Sequence, residues 1–252
     1  MTLVASHVES IRTRGYAVLE GVLDADQLRD ARSILDEIFK NEEAFSSERG
    51  WKNETYQVAY ALPLKHPFYR RFALNPRLFP LMQEILGSDC ILASLNGLTM
   101  TPGGKTQGLH IDQFETIPGS TLYINALHCL DDFTKEKGST RVVPGSHDRP
   151  FPGRDKMAAF EHEAIQLEAP AGSVIAYNGG LWHAGSQNRT NQPRRAIHAY
   201  YSRSWVRPQW DFARSAPPEL AAQFSDDEKR LLGFYAQAGL YDLATHQQVR
   251  FR

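Results

Sequence analysis

His110 and Asp112 are separated by a single isoleucine in the stretch LHIDQF, residues 109–114. If this stretch is a β-strand, residues two positions apart point to the same face. An imidazole nitrogen and a carboxylate oxygen would then meet at one point, which suits two ligands of a two-histidine, one-carboxylate iron(II) site. A chain with nine histidines and 29 acidic residues carries about one such pair by chance. The pair therefore predicts a metal site only if a third ligand exists.

His183 is the strongest candidate for the third ligand. It follows a Gly-Gly turn in NGGLWHAGSQN and lies in a short apolar run, whereas the other histidines fit core or surface positions. Arg194 follows it by eleven residues and opens the next predicted strand, RRAIHAYY. A buried guanidinium could bind a carboxylate co-substrate through two parallel hydrogen bonds. Arg195 would point to the opposite face, and the alternative is that both arginines are solvated.

Three ordered motifs resemble the phytanoyl-CoA dioxygenase-like family of iron- and 2-oxoglutarate-dependent oxygenases. The segment HAGSQNRTNQPRRAI is similar to the family's distal-histidine motif, and residues 107–112 match its proximal Q-x-x-H-x-D. Between them, DFTKEKGSTRVVPGSH at 132–147 is similar to the family's D-F-T-x-x-N/K-G-x-T-x-x-x-P-G-S-H stretch. The opening GYAVLEGVLDADQL also resembles the family's N-terminus, so the likeness runs from about residue 14 to 206.

The resemblance implies a set of site residues: His110, Asp112 and His183 as iron(II) ligands, Arg194 as the partner of the distal carboxylate of 2-oxoglutarate, and Thr140 and Gln107 as further contacts of this co-substrate. Dioxygen would be the second co-substrate. Asn125 shares one face of the strand TLYINALHCL with Tyr123 and Leu127. That face either lines the co-substrate pocket, with Asn125 as its polar member, or packs the barrel.

The resemblance also implies the reaction, which is oxidation of an unactivated C–H bond with release of succinate and CO2. Hydroxylation of a small-molecule metabolite or natural-product intermediate is the first expectation. Related halogenases carry Gly or Ala in place of the carboxylate ligand, so Asp112 argues against halogenation. Desaturation, epoxidation and cyclisation stay open. A non-oxidative cupin-like isomerase, hydrolase or binding module is the other alternative, and it would need the three metal ligands but not Arg194.

Short β-forming runs dominate from about residue 88 to 206, and clusters such as TPGGK, IPGS, PGSH and NGG separate them. This texture indicates a mainly β fold with flanking helices, in which a double-stranded β-helix (jelly roll, cupin-like) forms the core. We expect residues 1–252 to form one domain. Around the core the sequence predicts a strand at 15–23, a helix at 25–39 capped by Asp24, a helix at 76–86 ending at Gly87, and helical turns within 216–239 with Ser225 as a cap.

Residues 41–57 are polar and irregular, so we expect a mobile loop over the pocket that selects the substrate. Aromatic, amide and guanidinium side chains in or near predicted loops and strand ends are the candidates for contacting the substrate. These candidates are Trp51, Tyr56, Asn96, Phe114, Trp182 and Arg203.

The composition excludes several other classes of protein. Basic and acidic residues number 28 and 29, so no charge excess favours nucleic acid or an anionic membrane. No apolar run approaches the length of a membrane span, and the first residues do not have the pattern of a secretory signal. Cys90 and Cys129 both lie in apolar stretches, which indicates free thiols in a reducing cytoplasm. We expect a cytoplasmic monomer or homodimer that binds a small-molecule substrate.

Overall fold

The computed structural model describes residues 3–113, 116–236, 240–242 and 244–249. The helices are α1 (Leu3–Arg14), α2 (Ala25–Asn41), α3 (Glu43–Glu48), α4 (Leu62–Lys65), α5 (Pro67–Phe72), α6 (Phe79–Leu86), α7 (Phe212–Ser215), α8 (Pro218–Ala221) and α9 (Asp226–Leu231). The strands are β1 (Tyr16–Leu19), β2 (Tyr56–Ala59), β3 (Ile91–Met100), β4 (Tyr123–Cys129), β5 (Thr140–Val142), β6 (Ile165–Gln166), β7 (Val174–Asn178), β8 (His183–Gly185), β9 (Arg194–Ser202), β10 (Leu240–Asp242) and β11 (Gln247–Val249). Two 3-10 segments, Ser146–Asp148 and Arg154–Glu163, lie between β5 and β6.

Two antiparallel sheets form the core. The larger has the order β1-β7-β4-β9-β3-β2, and the smaller has the order β6-β5-β8. Their inner faces pack together, because Val142 of the small sheet shares a buried cluster with Leu127, Ile175 and Ala196 of the large one. A separate hairpin pairs β10 with β11.

The outer face of the large sheet is covered by helices. One buried cluster joins Val8 of α1, Leu35 of α2 and Leu231 of α9 to strand residues such as Ile197 and Ala199. Side chains alternate along a strand, so the same strands supply the inner cluster with their other residues. Helices before and after the β-rich region therefore pack on one continuous core.

Most predicted elements are present, with shifted limits. Helix α2 begins with the predicted cap, where the Asp24 carboxylate accepts a hydrogen bond from the Gln27 backbone N–H and the Gln27 side-chain oxygen accepts one from the Asp24 backbone N–H. Helix α6 ends at Gly87, and Ser225 caps α9 in the same reciprocal way as Asp24. The strand predicted at 15–23 is shorter, because β1 ends at Leu19.

The segment 41–57 is more ordered than the sequence suggested. It contains α3, and the Trp51 ring packs edge-on against Phe45 at 5.7 Å and against Tyr60 at 4.9 Å between ring centroids. The backbone N–H of Trp51 also donates to the Ser46 carbonyl at 2.7 Å. These aromatic contacts replace the irregular loop that the polar composition indicated.

Within the described parts of the chain, no helix is long and apolar enough to cross a membrane. Cys90 and Cys129 are both buried and free, as expected. Burial raises the pKa of each thiol to about 12, so both stay protonated at neutral pH.

Gly172 permits the turn before β7 to pass close to the segment that follows β1. Its φ is +88°, and an added Cβ would lie 2.9 Å from the Leu23 carbonyl oxygen. Gly103 has a similar φ of +76° but open space around it. Both Gly→Ala changes strain the backbone, but only Gly172→Ala adds the steric conflict. We expect Gly172→Ala to lower the free energy of unfolding in urea by about 1–3 kcal/mol more than Gly103→Ala. Equal losses would show that this contact is unimportant.

Candidate active site

His110 and His183 lie directly opposite each other on two neighbouring segments, at the edge of the small sheet. Each backbone N–H donates to the other's carbonyl oxygen at 2.9 Å, and the two residues form an antiparallel bridge. Residues paired in this way point to the same face of a sheet. The two imidazoles consequently stand side by side, with ring centroids 4.4 Å apart.

Backbone carbonyls orient both rings. The Nδ1–H of His110 donates to the Gly108 carbonyl at 3.0 Å, and that of His183 donates to the Leu181 carbonyl at 2.9 Å. Since a carbonyl only accepts, this pairing places the proton on Nδ1 and leaves the Nε2 lone pair available. Metal-binding histidines are commonly fixed by this kind of hydrogen bond.

Asp112 completes the group. Its Oδ2 lies 3.4 Å from Nε2 of His183, and the three potential ligand atoms of His110, Asp112 and His183 all lie within 4.8 Å of one another. The Asp112 side chain is 26% exposed, so the group opens to solvent on one side. Two imidazole nitrogens and one carboxylate oxygen could hold a metal ion and leave other coordination positions open.

The local electrostatics suit a metal cation. Burial lowers the pKa of His110, and the neighbouring His183 lowers it further, so the imidazole stays neutral at physiological pH. Burial alone would raise the pKa of Asp112. The nearby imidazoles and the hydrogen bond from Asn125 outweigh that effect, and the pKa is lowered. Asp112 is therefore ionised beside the neutral His110 ring, which is the protonation state that these two groups need as metal ligands.

Asn125 and Tyr177 hold the carboxylate of Asp112. The Asn125 amide donates to Asp112 Oδ2 at 3.1 Å and to the Tyr177 hydroxyl at 2.8 Å. The Tyr177 hydroxyl lies 3.4 Å from Oδ2 of Asp112 and 3.4 Å from Nε2 of His183. Asn125, predicted as a co-substrate contact, bonds a ligand of the metal candidate. The sequence analysis missed Tyr177, although the alternation in SVIAYN places it on the same face as Ile175.

Arg194 points into the space between the sheets, and Arg195 points out. The Arg195 guanidinium bonds Asp131 at 3.1 Å and Asp36 at 2.6 Å on the outer face. Arg194 is 4% exposed, and no carboxylate pairs with it among the described residues. Burial lowers the pKa of Arg194 to about 10, so its charge persists at neutral pH. A buried cation without an anion is unfavourable unless a ligand supplies the negative charge.

The segment DFTKEKGST surrounds Arg194. Its guanidinium carbon lies 4.3 Å from the centroid of the Phe133 ring, and its Nη1 donates to the Gly138 carbonyl. Gly138 has a φ of +74°, and an added Cβ would lie 2.4 Å from the Ser186 carbonyl oxygen. Glycine is therefore required at this step of the segment.

Thr140 and Gln107 lie at the end of the site where Arg194 lies. Thr140 pairs with Gly185 in the small sheet and is 5% exposed. The Gln107 side chain accepts a hydrogen bond from the Gly185 N–H at 3.0 Å. Gln107 and Met100 both lie close to Gly185, because a Cβ added there would be 2.9 Å from Gln107 Oε1 and 3.4 Å from Met100 Cε. Met100 in turn pairs with Arg194 in the large sheet. The structure thus brings both predicted co-substrate contacts to the end of the space where Arg194 lies.

Asn188 and Thr190 stabilise the loop between β8 and β9, which ends at Arg194. Asn188 is fully buried, and its amide donates to the carbonyls of Thr101 at 3.2 Å and Gln192 at 2.8 Å. Its Oδ1 accepts from the backbone N–H and the hydroxyl of Thr190 at 3.0 and 2.8 Å. The Q-N-x-T part of the distal motif therefore fixes the start of β9.

Three substrate candidates lie on one side of the large sheet. Trp51 packs against Tyr60, and Tyr60 packs against Trp210 with centroids 5.4 Å apart. Asn96 accepts hydrogen bonds from the Trp210 indole and from the Ala61 N–H, both at 3.1 Å. Tyr56 begins β2 and is half-buried. Asn96 therefore anchors an aromatic cluster.

The structure corrects two other substrate candidates. Trp182 points to the face opposite His183, where it is 1% exposed and packs on Phe160 at 4.8 Å. Arg203 donates to the carbonyls of Thr121, Leu86 and Ile85 at 2.8, 3.2 and 3.3 Å, so it closes the end of α6 and does not face the site. Phe114 lies outside the described residues.

The comparisons with known proteins agree with this geometry. Residues 11–196 match the phytanoyl-CoA dioxygenase (PhyH) family. The dioxygenase af480 of Aspergillus fumigatus is 29% identical over 240 residues, which cover 88% of this chain and 74% of that protein.

Solved structures are similar over most of the chain. HygX from Streptomyces hygroscopicus, determined with nickel and 2-oxoglutarate bound, gives a TM-score of 0.68 at 21% identity, covering 83% of this chain and 90% of HygX. The epimerase SnoN from nogalamycin biosynthesis, determined with Fe3+, alpha ketoglutarate and nogalamycin RO, gives 0.67 at 23% identity, covering 89% and 92%. These similarities confirm the predicted double-stranded β-helix with flanking helices.

The match extends from α1 into β9 and includes all three potential metal ligands and Arg194. The resemblance predicted from the three motifs is therefore confirmed: this chain belongs to the phytanoyl-CoA dioxygenase family of non-haem iron- and 2-oxoglutarate-dependent dioxygenases.

Proposed function

We propose that this protein uses iron(II), 2-oxoglutarate and dioxygen to hydroxylate an unactivated C–H bond of a small molecule, releasing succinate and CO2. The observation that carries the proposal is the pairing of two features in one interior. A three-residue group that could hold a metal lies at one end, and a buried arginine that pairs with no carboxylate of the described residues lies at the other. A dicarboxylate that also binds a metal satisfies both.

The donor set fits iron(II). His110, Asp112 and His183 would hold the ion through two neutral imidazoles and one carboxylate, a set typical of non-haem iron oxygenases. Bound iron would supply the activation of dioxygen needed to oxidise a C–H bond. Asn125 and Tyr177 would keep Asp112 in place while the metal binds, because both contact its Oδ2.

Arg194 would bind the distal carboxylate of 2-oxoglutarate. Phe133 covers one face of its guanidinium, and the Gly138 carbonyl takes one N–H. The remaining N–H groups can form a charged hydrogen-bonded pair with a carboxylate in a buried setting. Thr140 and Gln107 lie at the same end and would line this part of the co-substrate pocket.

A small-molecule substrate is supported by the solved relatives. One HygX structure contains hygromycin B, and one SnoN structure contains nogalamycin RO. Trp51, Tyr56 and Asn96 are the described residues that we propose to contact the substrate. One buried cluster spans the helices before and after the β-rich region, so we propose that the chain acts as a single domain.

Epimerisation is the second candidate reaction. SnoN is an epimerase, and this chain covers 92% of it. Such a reaction would use the same metal and co-substrate residues, and would differ in whether the carbon that loses its hydrogen gains an oxygen or regains a hydrogen on its opposite face. Product analysis after a substrate is found separates the two, because hydroxylation adds one oxygen to the product and epimerisation adds none.

Anaerobic titration of the metal-free protein with iron(II) and then 2-oxoglutarate tests the site without any substrate. We expect a weak visible charge-transfer absorption that requires both additions, and we expect His110→Ala to abolish it because one metal ligand is lost. Absence of the band in wild-type protein that has bound iron would contradict the proposed function. It would favour the non-oxidative cupin-like alternative.

Arg194→Leu and Arg195→Leu form a matched pair on opposite faces of β9. We expect Arg194→Leu to raise the dissociation constant for 2-oxoglutarate about 10- to 100-fold, because a charged hydrogen-bonded pair contributes about 1.5–3 kcal/mol. Arg195→Leu should leave this constant unchanged, since its partners Asp131 and Asp36 lie on the outer face. The same titration measures both variants. The reverse result would show that Arg195 holds the co-substrate.

A further inference from the structure

His198 lies on the inner face of β9, between Arg194 and the metal candidate. It is four residues after Arg194, so the two side chains point to the same side of the strand. It pairs with Leu127 of β4 and Asn96 of β3. The next inner position of β9, Tyr200, pairs with Asn125, whose amide bonds Asp112. His198 is thus two residues along β9 from Tyr200, which pairs with the asparagine that supports the carboxylate ligand.

The imidazole of His198 has no hydrogen bond to any residue that the structure describes. It nevertheless lies in the middle of a central strand and stays partly exposed, so it borders interior space. The charges of Asp112 and Arg194 both act on it, in opposite directions. Burial lowers the pKa of His198 to about 4, so the ring is neutral at physiological pH and carries one N–H donor and one acceptor.

Several other polar groups of this inner region are already committed. The Asn125 amide donates to Asp112 and to the Tyr177 hydroxyl, and Tyr177 lies against Asp112 and His183. Arg194, Thr140 and Gln107 lie at the far end of the space. A 2-oxo acid that chelates a metal keeps one oxygen of the adjacent carboxylate available for a hydrogen bond. Two donors on this side are uncommitted among the described residues: the His198 imidazole, and the buried Tyr200 hydroxyl, which lies near Gly179.

We propose that His198 is a positioning residue that donates a hydrogen bond to the carboxylate of 2-oxoglutarate next to the metal. This inference rests on the proposed function. Arg194 would hold one end of the co-substrate by charge, and His198 would fix the orientation of the other end by a neutral hydrogen bond. A neutral donor suits this position because a second buried cation would repel Arg194.

His128 provides a matched control. It lies on β4 beside Leu127, the partner of His198, but faces the opposite side of the sheet. It is fully buried, packs on Phe72 with ring centroids 4.4 Å apart, and burial also lowers its pKa to about 4. Replacing it therefore removes a buried neutral imidazole from the same region of the sheet without changing the interior between the sheets.

The experiment is the anaerobic titration of His198→Leu, His198→Gln and His128→Leu with iron(II) and 2-oxoglutarate. We expect His198→Leu to raise the dissociation constant for 2-oxoglutarate about tenfold, as expected for one lost hydrogen bond to a charged group, and to shift the charge-transfer maximum. His198→Gln, which keeps a donor, should restore the constant to within about threefold of wild type. Iron(II) affinity, measured by chelator competition, should be unchanged in all three variants, and His128→Leu should match wild type throughout.

Several results would overturn the proposal. Wild-type affinity of His198→Leu for 2-oxoglutarate, or an unshifted band in this variant, would each rule out the hydrogen bond. Equal weakening in His128→Leu, or failure of His198→Gln to restore binding, would assign the effect to packing. If wild-type protein itself gives no band, the proposed function fails and this inference fails with it. A band in wild type together with an unaffected His198→Leu rejects only the role of His198.

Discussion

The reciprocal backbone pairing of His110 with His183 is the constraint on which the candidate site depends. Two segments far apart in sequence must lie directly opposite each other for both imidazoles to share one face. Once this pair is formed, Asp112 follows two residues later on the same side. Both rings take their orientation from carbonyls two residues earlier in their own segments, so the ligand geometry is set largely by backbone structure.

Strand β9 connects this geometry to the rest of the fold. Its inner residues face the small sheet, and its outer residues pack under the helices. Arg194 and Arg195 illustrate the consequence, because adjacent guanidiniums have unrelated surroundings. Arg194 lies over an aromatic ring with no counter-ion in the described part of the chain, while Arg195 is neutralised by two carboxylates. A shift of β9 by one residue would exchange them and place paired surface charge in the interior.

Much of this arrangement could be predicted from the sequence, because it depends on local rules. The cap at Asp24 and the stop at Gly87 follow from local capping rules. The spacing of His110 and Asp112 pointed to their pairing, although the structure has a single bridge at His110 and a bend at Asp112 where a strand was expected. The errors concern partners that only the folded chain reveals. Arg203 is of a residue type that often contacts substrates, but its guanidinium closes the end of a helix. Trp182 directly precedes β8, and a strand of three residues is too short for its sequence to show which residues face the interior. Tyr177 looked like an ordinary core residue because its hydroxyl partners come from other strands.

The small sheet has a further consequence for the behaviour of the protein. Strand β8, which carries His183, has three residues and is paired with β5 on one side and with little more than the His110 bridge on the other. So few backbone hydrogen bonds favour local opening at a lower free energy than global unfolding. A metal that ties His183 to the opposite segment would suppress that opening, so part of its binding energy would be spent on closing the sheet. Metal occupancy and amide-hydrogen protection in β8 would therefore rise together.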